Sequence, residues 1–316
     1  MICCMQFSQI SLSLPFKPLK IHSYLFRNEN NPDELLMLES GVNQFETLEE
    51  LKQGLKKFDP KLSLESIKFI IPTHAHIDHI GALDLIKEHS GAKIVMHKEE
   101  YTFFTEERSI FWVDEVFKNL GVQEKEITQI HIFLKYYQEY NKDFTPDLTL
   151  DGESGYIPKF EEIRFMKIPG HTPHHIALVL EEQKAIFSGD TLLSRITPNL
   201  GFSGKFANPV KEYLFTLDRL SKNFTSWTAY PAHQEIIKNI KERAKMLQFL
   251  LDERLNNVKT FFRENGKSLS SLIKFLYPGI WEDPVQRFLA LMETQSYIKY
   301  LYGKSSPFKL PYDEFL

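Results

Sequence analysis

The sequence predicts an α+β protein: a two-sheet sandwich with helices on both outer faces, followed by a small helical domain. Three observations carry this. Up to His233, short apolar or β-branched runs alternate with amphipathic stretches. Beyond His233 the strand-like runs stop and three helical stretches follow. Several strand-like runs also end in histidine or aspartate, so the strands carry polar side chains to their ends.

Taken in order, residues 7–14 and 19–27 read as strands separated by Pro15 and Pro18, and residues 34–39 as a third strand stopped by Gly41. Residues 46–57 carry a helical period, with Leu48, Leu51, Leu55 and Phe58 on one face. The apolar run 67–71 is a buried strand, followed by a helix over 80–89 and a short strand Lys93–Met96. Residues 98–146 read as an insertion rich in aromatics and Glu/Lys, including Tyr101, Phe104, Phe111, Trp112 and Phe133. They suit either a lid over a site or plain helices capping a sheet edge. Strands return at Leu148–Leu150, Ile163–Ile168, Ile176–Glu181 and Ala185–Phe187, then helix 209–222 and strand Ser226–Ala229. Residues 236–265 form one long amphipathic stretch stopped by Gly266, followed by helices over Ser268–Tyr277 and 284–302. No internal repeat is present. The domain division expected is 1–233 for the catalytic part, with 98–146 inserted in it, and 234–316 for the helical part.

A chain of 316 residues with 42% hydrophobic content buries a large core. A net charge of −4 gives no general affinity for nucleic acid or anionic membrane. The helical tail holds 13 Lys/Arg against 10 Asp/Glu, too even for a basic stripe that grips a phosphate backbone. Apolar stretches fall far short of a membrane span. The first residues lack a basic region and a small-residue cleavage site, so no signal peptide is expected. The cysteines are Cys3 and Cys4, which cannot staple a fold, and a cytoplasmic location follows.

The most informative stretch is THAHIDHIG, from Thr73 to Gly81, just after the run 67–71. Three imidazoles and a carboxylate in six residues suit a borderline-soft divalent metal. Alternate side chains at a strand end share a side, so His74 and His76 can grip one ion. Asp78 and His79 point elsewhere, where a second ion could sit. Further candidates are His171 in Pro169-Gly170-His171-Thr172-Pro173, Asp190 in Ser188-Gly189-Asp190-Thr191, and His233 in Tyr230-Pro231-Ala232-His233. A lone HxH is weak evidence; four such segments in this order and spacing are not.

Together these segments resemble the metallo-β-lactamase superfamily of metal-dependent hydrolases, over about the first 235 residues. The resemblance implies an αββα sandwich, with His74, His76 and His171 on one metal, Asp78, His79 and His233 on a second, and Asp190 bridging. It implies two divalent ions, with Zn2+ first and Mn or Fe as alternatives. His22, His89, His97 and His131 match nothing in the pattern. His175 matches a position that packs near the site without ligating, and His174 stands where many relatives have glycine. Relatives usually carry Asp-Thr-Gly where this chain has Glu39-Ser40-Gly41, and the longer Glu39 is expected to reach the outer nitrogen of a metal-binding histidine. The three C-terminal helices resemble the winged-helix-like appendage of one branch of the superfamily, hydroxyacylglutathione-hydrolase-like. A packing or homodimerisation module is the plainer reading of them.

The chemistry expected is hydrolysis of a small ester, thioester or lactone by a metal-bound hydroxide. Asp190 would hold the metal spacing, and Asp78 would ligate and carry a proton to the leaving group. The partner expected is therefore a small molecule, with neither nucleic acid nor membrane. Three alternatives stand behind it. One is a single-strand endoribonuclease using the same metals. Another is a mononuclear-iron sulfur dioxygenase using a subset such as His74, His171 and Asp190. A third is a non-enzymatic scaffold built on the C-terminal helices. Residues 201–206, with Gly204-Lys205-Phe206, faintly resemble the glutathione-contacting loop of glyoxalase II.

Overall fold

A computed structural model describes residues 5–15, 20–28, 30–107, 144–201, 208–265, 268–280 and 283–303, with isolated positions between 124 and 135. Two sheets form its centre. In the first, β1 (Phe7–Ser13), β2 (Lys20–Arg27) and β3 (Leu35–Leu38) run antiparallel. Parallel pairing then continues through β4 (Ile67–Ile71), β5 (Lys93–His97) and β6 (Leu148–Leu150), giving the order β1-β2-β3-β4-β5-β6. The second holds β7 (Ser154–Ile157), β8 (Phe160–Lys167), β9 (Ile176–Leu180), β10 (Ala185–Gly189) and β11 (Thr228–Pro231), in the order β11-β10-β9-β8-β7. β11 joins it parallel to β10; the other pairs are antiparallel.

Strand alternation sorts the side chains into three apolar layers. Between the sheets lie Tyr24, Phe26, Leu36, Leu38, Phe69 and Val95 from the first sheet, against Ile163, Phe165, Leu178 and Phe187 from the second. Phe187 meets Phe26 edge-on at 4.7 Å and 80°, the geometry the ring quadrupoles favour. The outer face of the first sheet, with Leu12, Leu25, Met37 and Ile70, packs on α1 (Phe45–Phe58) and α3 (Leu83–Ser90). The outer face of the second, with Ile168, Val179 and Ile186, packs on α5 (Pro209–Asn223). That last layer runs on without a break into α6 (Ile240–Asn265), α7 (Leu269–Leu276) and α8 (Pro284–Tyr302), through Leu247, Leu251, Leu272, Leu291 and Ile298. The architecture is the αββα sandwich with a C-terminal helical region.

Four local departures from expectation have physical reasons. The helix expected over 80–89 is two pieces, α2 (Ile77–Ile80) and α3, parted at Gly81-Ala82. β7 was not expected: Ser-Gly-Tyr-Ile has no apolar alternation, and it forms as an edge strand where Gly155 leaves room for the Phe165 ring. The last strand begins two residues later than expected, because Phe224–Trp227 makes a turn closed by Trp227 N–H donating to the Phe224 carbonyl. The long helix starts at Ile240 rather than 236, because Ile237 pairs with Ala229 beside the sheet and the Asn239 side chain accepts from Glu242 N–H.

Of the 98–146 segment, α4 (Lys98–Glu107) is described, and its Tyr101 and Phe104 rings each lie 5.7 Å from Phe144. The lid expectation rests mainly on Phe111, Trp112, Phe117, Phe133, Tyr136, Tyr137 and Tyr140, which lie outside the described residues, as does most of the 201–206 loop. Among the described residues, no helix is long and apolar enough to cross a membrane.

Candidate metal centre

The seven expected site residues come from five chain segments and meet at one end of the sandwich. β4 delivers Thr73, His74 and His76; α2 delivers Asp78 and His79. The β8–β9 loop brings His171, the end of β10 brings Asp190, and the end of β11 brings His233. Three triplets form in which the ligand atoms lie within 4.8 Å of one another: His74, His76 and His171; His74, His79 and Asp190; and Asp78, His79 and His233.

Hydrogen bonding fixes what the first group presents. His171 Nδ1 lies 2.8 Å from the Asn199 carbonyl, which only accepts, so Nδ1 carries the proton and Nε2 a lone pair. Thr73 donates its hydroxyl to Glu39 Oε1 at 2.6 Å, so it accepts from His74 Nδ1 at 3.1 Å, leaving a lone pair on His74 Nε2. Both lone pairs face His76 Nδ1, at 3.0 and 2.9 Å. One N–H on His76 can serve only one of them. Three nitrogens converging in this way ask for a cation, and neutral imidazoles with anchored outer nitrogens are what a divalent metal takes. Burial, reinforced by neighbouring imidazoles, holds His74 well below the ordinary histidine range and so keeps it neutral.

The second group is ionic. His233 Nε2 lies 3.2 Å from Asp78 Oδ2 and 3.6 Å from Asp190 Oδ1, while its Nδ1 donates to the Lys20 carbonyl at 2.6 Å. Burial would lower His233, but Asp190 and Asp78 outweigh it and push it up to about 9. Burial would likewise raise Asp190; His233, His79 and His171 override it and hold the carboxyl well below the carboxylate range. Asp190 Oδ2 lies 3.7 Å from both His79 Nε2 and His171 Nε2, between the two groups. His79 Nε2 and Asp190 Oδ1 are buried without a hydrogen-bond partner, a cost a bound cation would remove.

Around these groups the structure places three supports. Glu39, fully buried at the end of β3 with φ 64°, accepts from Thr73 N–H and lies 2.9 Å from His79 Nδ1, so the extra methylene reaches. Asn199, whose carbonyl orients His171, is held from the far side: its amide donates to the Leu289 carbonyl, and Leu200 N–H donates to Glu293, both on α8. Glu100 on α4 is 1% exposed and accepts from Ala75 N–H, the Thr172 hydroxyl and His174 N–H at 3.0–3.1 Å. Burial pushes its carboxyl up to about 7 against those donors.

Glu100 was not read from sequence, because Lys98-Glu99-Glu100 looks like a solvated run. The available signal was Phe104, four residues on and packed against the core, which puts Glu100 on the buried face.

Among the described residues, the other histidines belong to none of these ligand groups. His175 stacks on His74 at 4.7 Å and its Nε2 accepts from Asp190 N–H, which matches a packing role. His174 lies 3.4 Å from Glu99 at the rim. His22 bonds Ser11 and the Gln234 carbonyl, His89 the Leu85 carbonyl, and His97 the Gly152 carbonyl.

With this geometry in view, the likeness to known proteins is consistent. The profile of the Metallo-beta-lactamase superfamily matches residues 17–247. A probable metallo-hydrolase of Bacillus subtilis, YqjP, is 23% identical over 308 residues, covering 92% of this chain and 91% of that one. The hydroxyacylglutathione hydrolase GloC of Haemophilus influenzae is 30% identical over 146 residues, 46% of this chain and 56% of that one. Among solved structures, a metallo-beta-lactamase family protein from Thermus thermophilus superposes with a TM-score of 0.78 at 24% identity, covering 93% and 92% of the two chains.

Proposed function

The chain belongs to the metallo-beta-lactamase superfamily of metal-dependent hydrolases, and from that premise we propose that it hydrolyses a small ester, thioester or lactone at a dinuclear centre. The observation that carries the reading is the pair of donor groups, three convergent imidazole nitrogens on one side and Asp78, His79 and His233 on the other, with Asp190 between them. In this reading His74, His76 and His171 hold one ion, Asp78, His79 and His233 the other, and Asp190 both. Zn2+ is the first choice, and Mn or Fe share the same ligand chemistry. When bound, two such ions lower the pKa of a coordinated water towards roughly 7 and polarise the acyl oxygen under attack.

The protein's own groups do the rest. The Asn199 and Lys20 carbonyls keep His171 and His233 turned inward by accepting their outer N–H groups. Glu39 faces His79 Nδ1 at 2.9 Å as an ion-pair partner. In this reading Asp78, partly exposed and 3.2 Å from His233 Nε2, carries a proton to the leaving group. The hydroxyacylglutathione hydrolase relative supports a thioester as the first substrate class to try. Residues 1–233 act as the catalytic unit, and the helices of 234–316 brace it through Asn199 and Leu200.

Elemental analysis of protein prepared with ample divalent metal is expected to give two ions per chain. Saturation at one, with no second step on titration, would remove the dinuclear mechanism and favour the mononuclear-iron reading. Turnover is then measured on a panel of thioesters, lactones and activated esters, beside a single-stranded RNA at low and moderate salt. Hydrolysis in the panel without RNA cutting is expected. RNA cutting that disappears in His76→Ala would displace this reading in favour of an endoribonuclease.

A further inference from the structure

We propose that Glu100 is a positioning residue that sets the three-histidine half of the centre and leaves the Asp78–His79–His233 half untouched. The proposal rests on the dinuclear reading above. Its basis is where the carboxylate's partners sit. Ala75, whose N–H donates to Oε1, lies between His74 and His76. Thr172, whose hydroxyl donates to Oε2, follows His171 directly. His174, whose N–H donates to the same oxygen, closes that loop and precedes the His175 ring that stacks on His74. One side chain thus ties together two segments nearly a hundred residues apart, and these segments supply all three converging imidazoles. None of its hydrogen bonds reaches Asp78, His79 or His233.

The choice of a carboxylate is informative. Burying one is expensive, and a neutral side chain would serve if packing were the need. Above about pH 7, where Glu100 is ionised, its carboxylate accepts only, and three donors converge on it. Glutamine has the same shape but one acceptor oxygen and one donor nitrogen. In one flip its NH2 meets Ala75 N–H; in the other it meets His174 N–H. Either way a donor faces a donor in a buried site. A merely space-filling role would be rescued by glutamine, and a positioning role would not.

The test is stepwise metal titration of wild type, Glu100→Gln and Thr172→Val against a chromogenic chelator, with Co2+ absorption as a second readout. A His76→Ala reference identifies the three-histidine step. Glu100→Gln is expected to weaken that step ~10–100-fold, as lost outer-shell contacts do, while the other step stays within about threefold. The Co2+ band of the weakened step should also shift. Two unchanged steps, or equal weakening of both, would overturn the proposal. If Glu100→Gln does not fold, Thr172→Val decides: selective weakening of the same step supports the proposal, and an unchanged titration overturns it. A wild type that binds two ions with an indifferent Glu100→Gln refutes this proposal alone. A wild type that binds none refutes the dinuclear reading and this proposal with it.

Discussion

Asp190→Ala is expected to lose more than ~100-fold in turnover and to release metal from both halves of the centre. Outer contacts to metal ligands already cost ~10–100-fold when removed, and the proposed bridge would put Asp190 inside that shell, between both groups. Its loss also takes away the buried carboxylate beside His79 and His233. Asp78→Ala should differ in kind, weakening mainly the half that contains His79 and His233. Metal content and thioester hydrolysis measured together distinguish the two. An Asp190→Ala enzyme with near-normal turnover and two bound ions would show that Asp190 does not bridge.

Gly189→Ala is expected to carry a large effect outside the ligands. Gly189 ends β10 at φ 49°, where an L side chain costs ~1–2 kcal/mol. A Cβ there would also fall 2.4 Å from Thr73 Oγ1 and 2.6 Å from the His175 ring. Neither neighbour can yield cheaply: Thr73 bonds Glu39 and His74, and His175 accepts from Asp190 N–H. Overpacking adds ~1–3 kcal/mol, so a loss of roughly 2–5 kcal/mol in unfolding free energy is expected, with reduced metal content. Gly91→Ala is the control: its φ is 71° but its Cβ meets nothing within 4 Å, so only the backbone term of ~1–2 kcal/mol applies. Equal losses in the two variants by urea unfolding would show that the contacts around Thr73 relax freely.

The seven candidate ligands could be picked out because each follows a strand-like apolar run or lies just past one, and the structure brings these strand ends together at one edge of the sandwich. β4 is the clearest case: the run Ile67–Ile71 places His74 and His76 with no need of tertiary information. What stayed hidden depended on contacts distant in sequence. Glu100 sits in a charged run and is buried only because the loops carrying Ala75 and Thr172 close over it. β7 pairs with β8 although its own residues show no pattern. Asn199 orients His171 through a backbone carbonyl, which no side-chain identity reveals. The split between α2 and α3 turned on how Gly81-Ala82 packs rather than on helical period.

The Lys20 carbonyl that orients His233 has a kinetic consequence. The contact spans 213 residues, and two more hydrogen bonds join β2 to the same strand end: His22 N–H to the Ala232 carbonyl and the Tyr24 hydroxyl to the Pro231 carbonyl. Contacts of such high order close late, because the entropy of joining distant segments is spent before they stabilise anything. On a chain emerging from synthesis, β2 waits for almost the whole sandwich before it meets its partner. The strand-and-turn segment around His74 can form early; the half of the centre that contains His233 completes only when both ends of the core have met. In the dinuclear reading, metal uptake at that half would report the end of folding rather than its beginning.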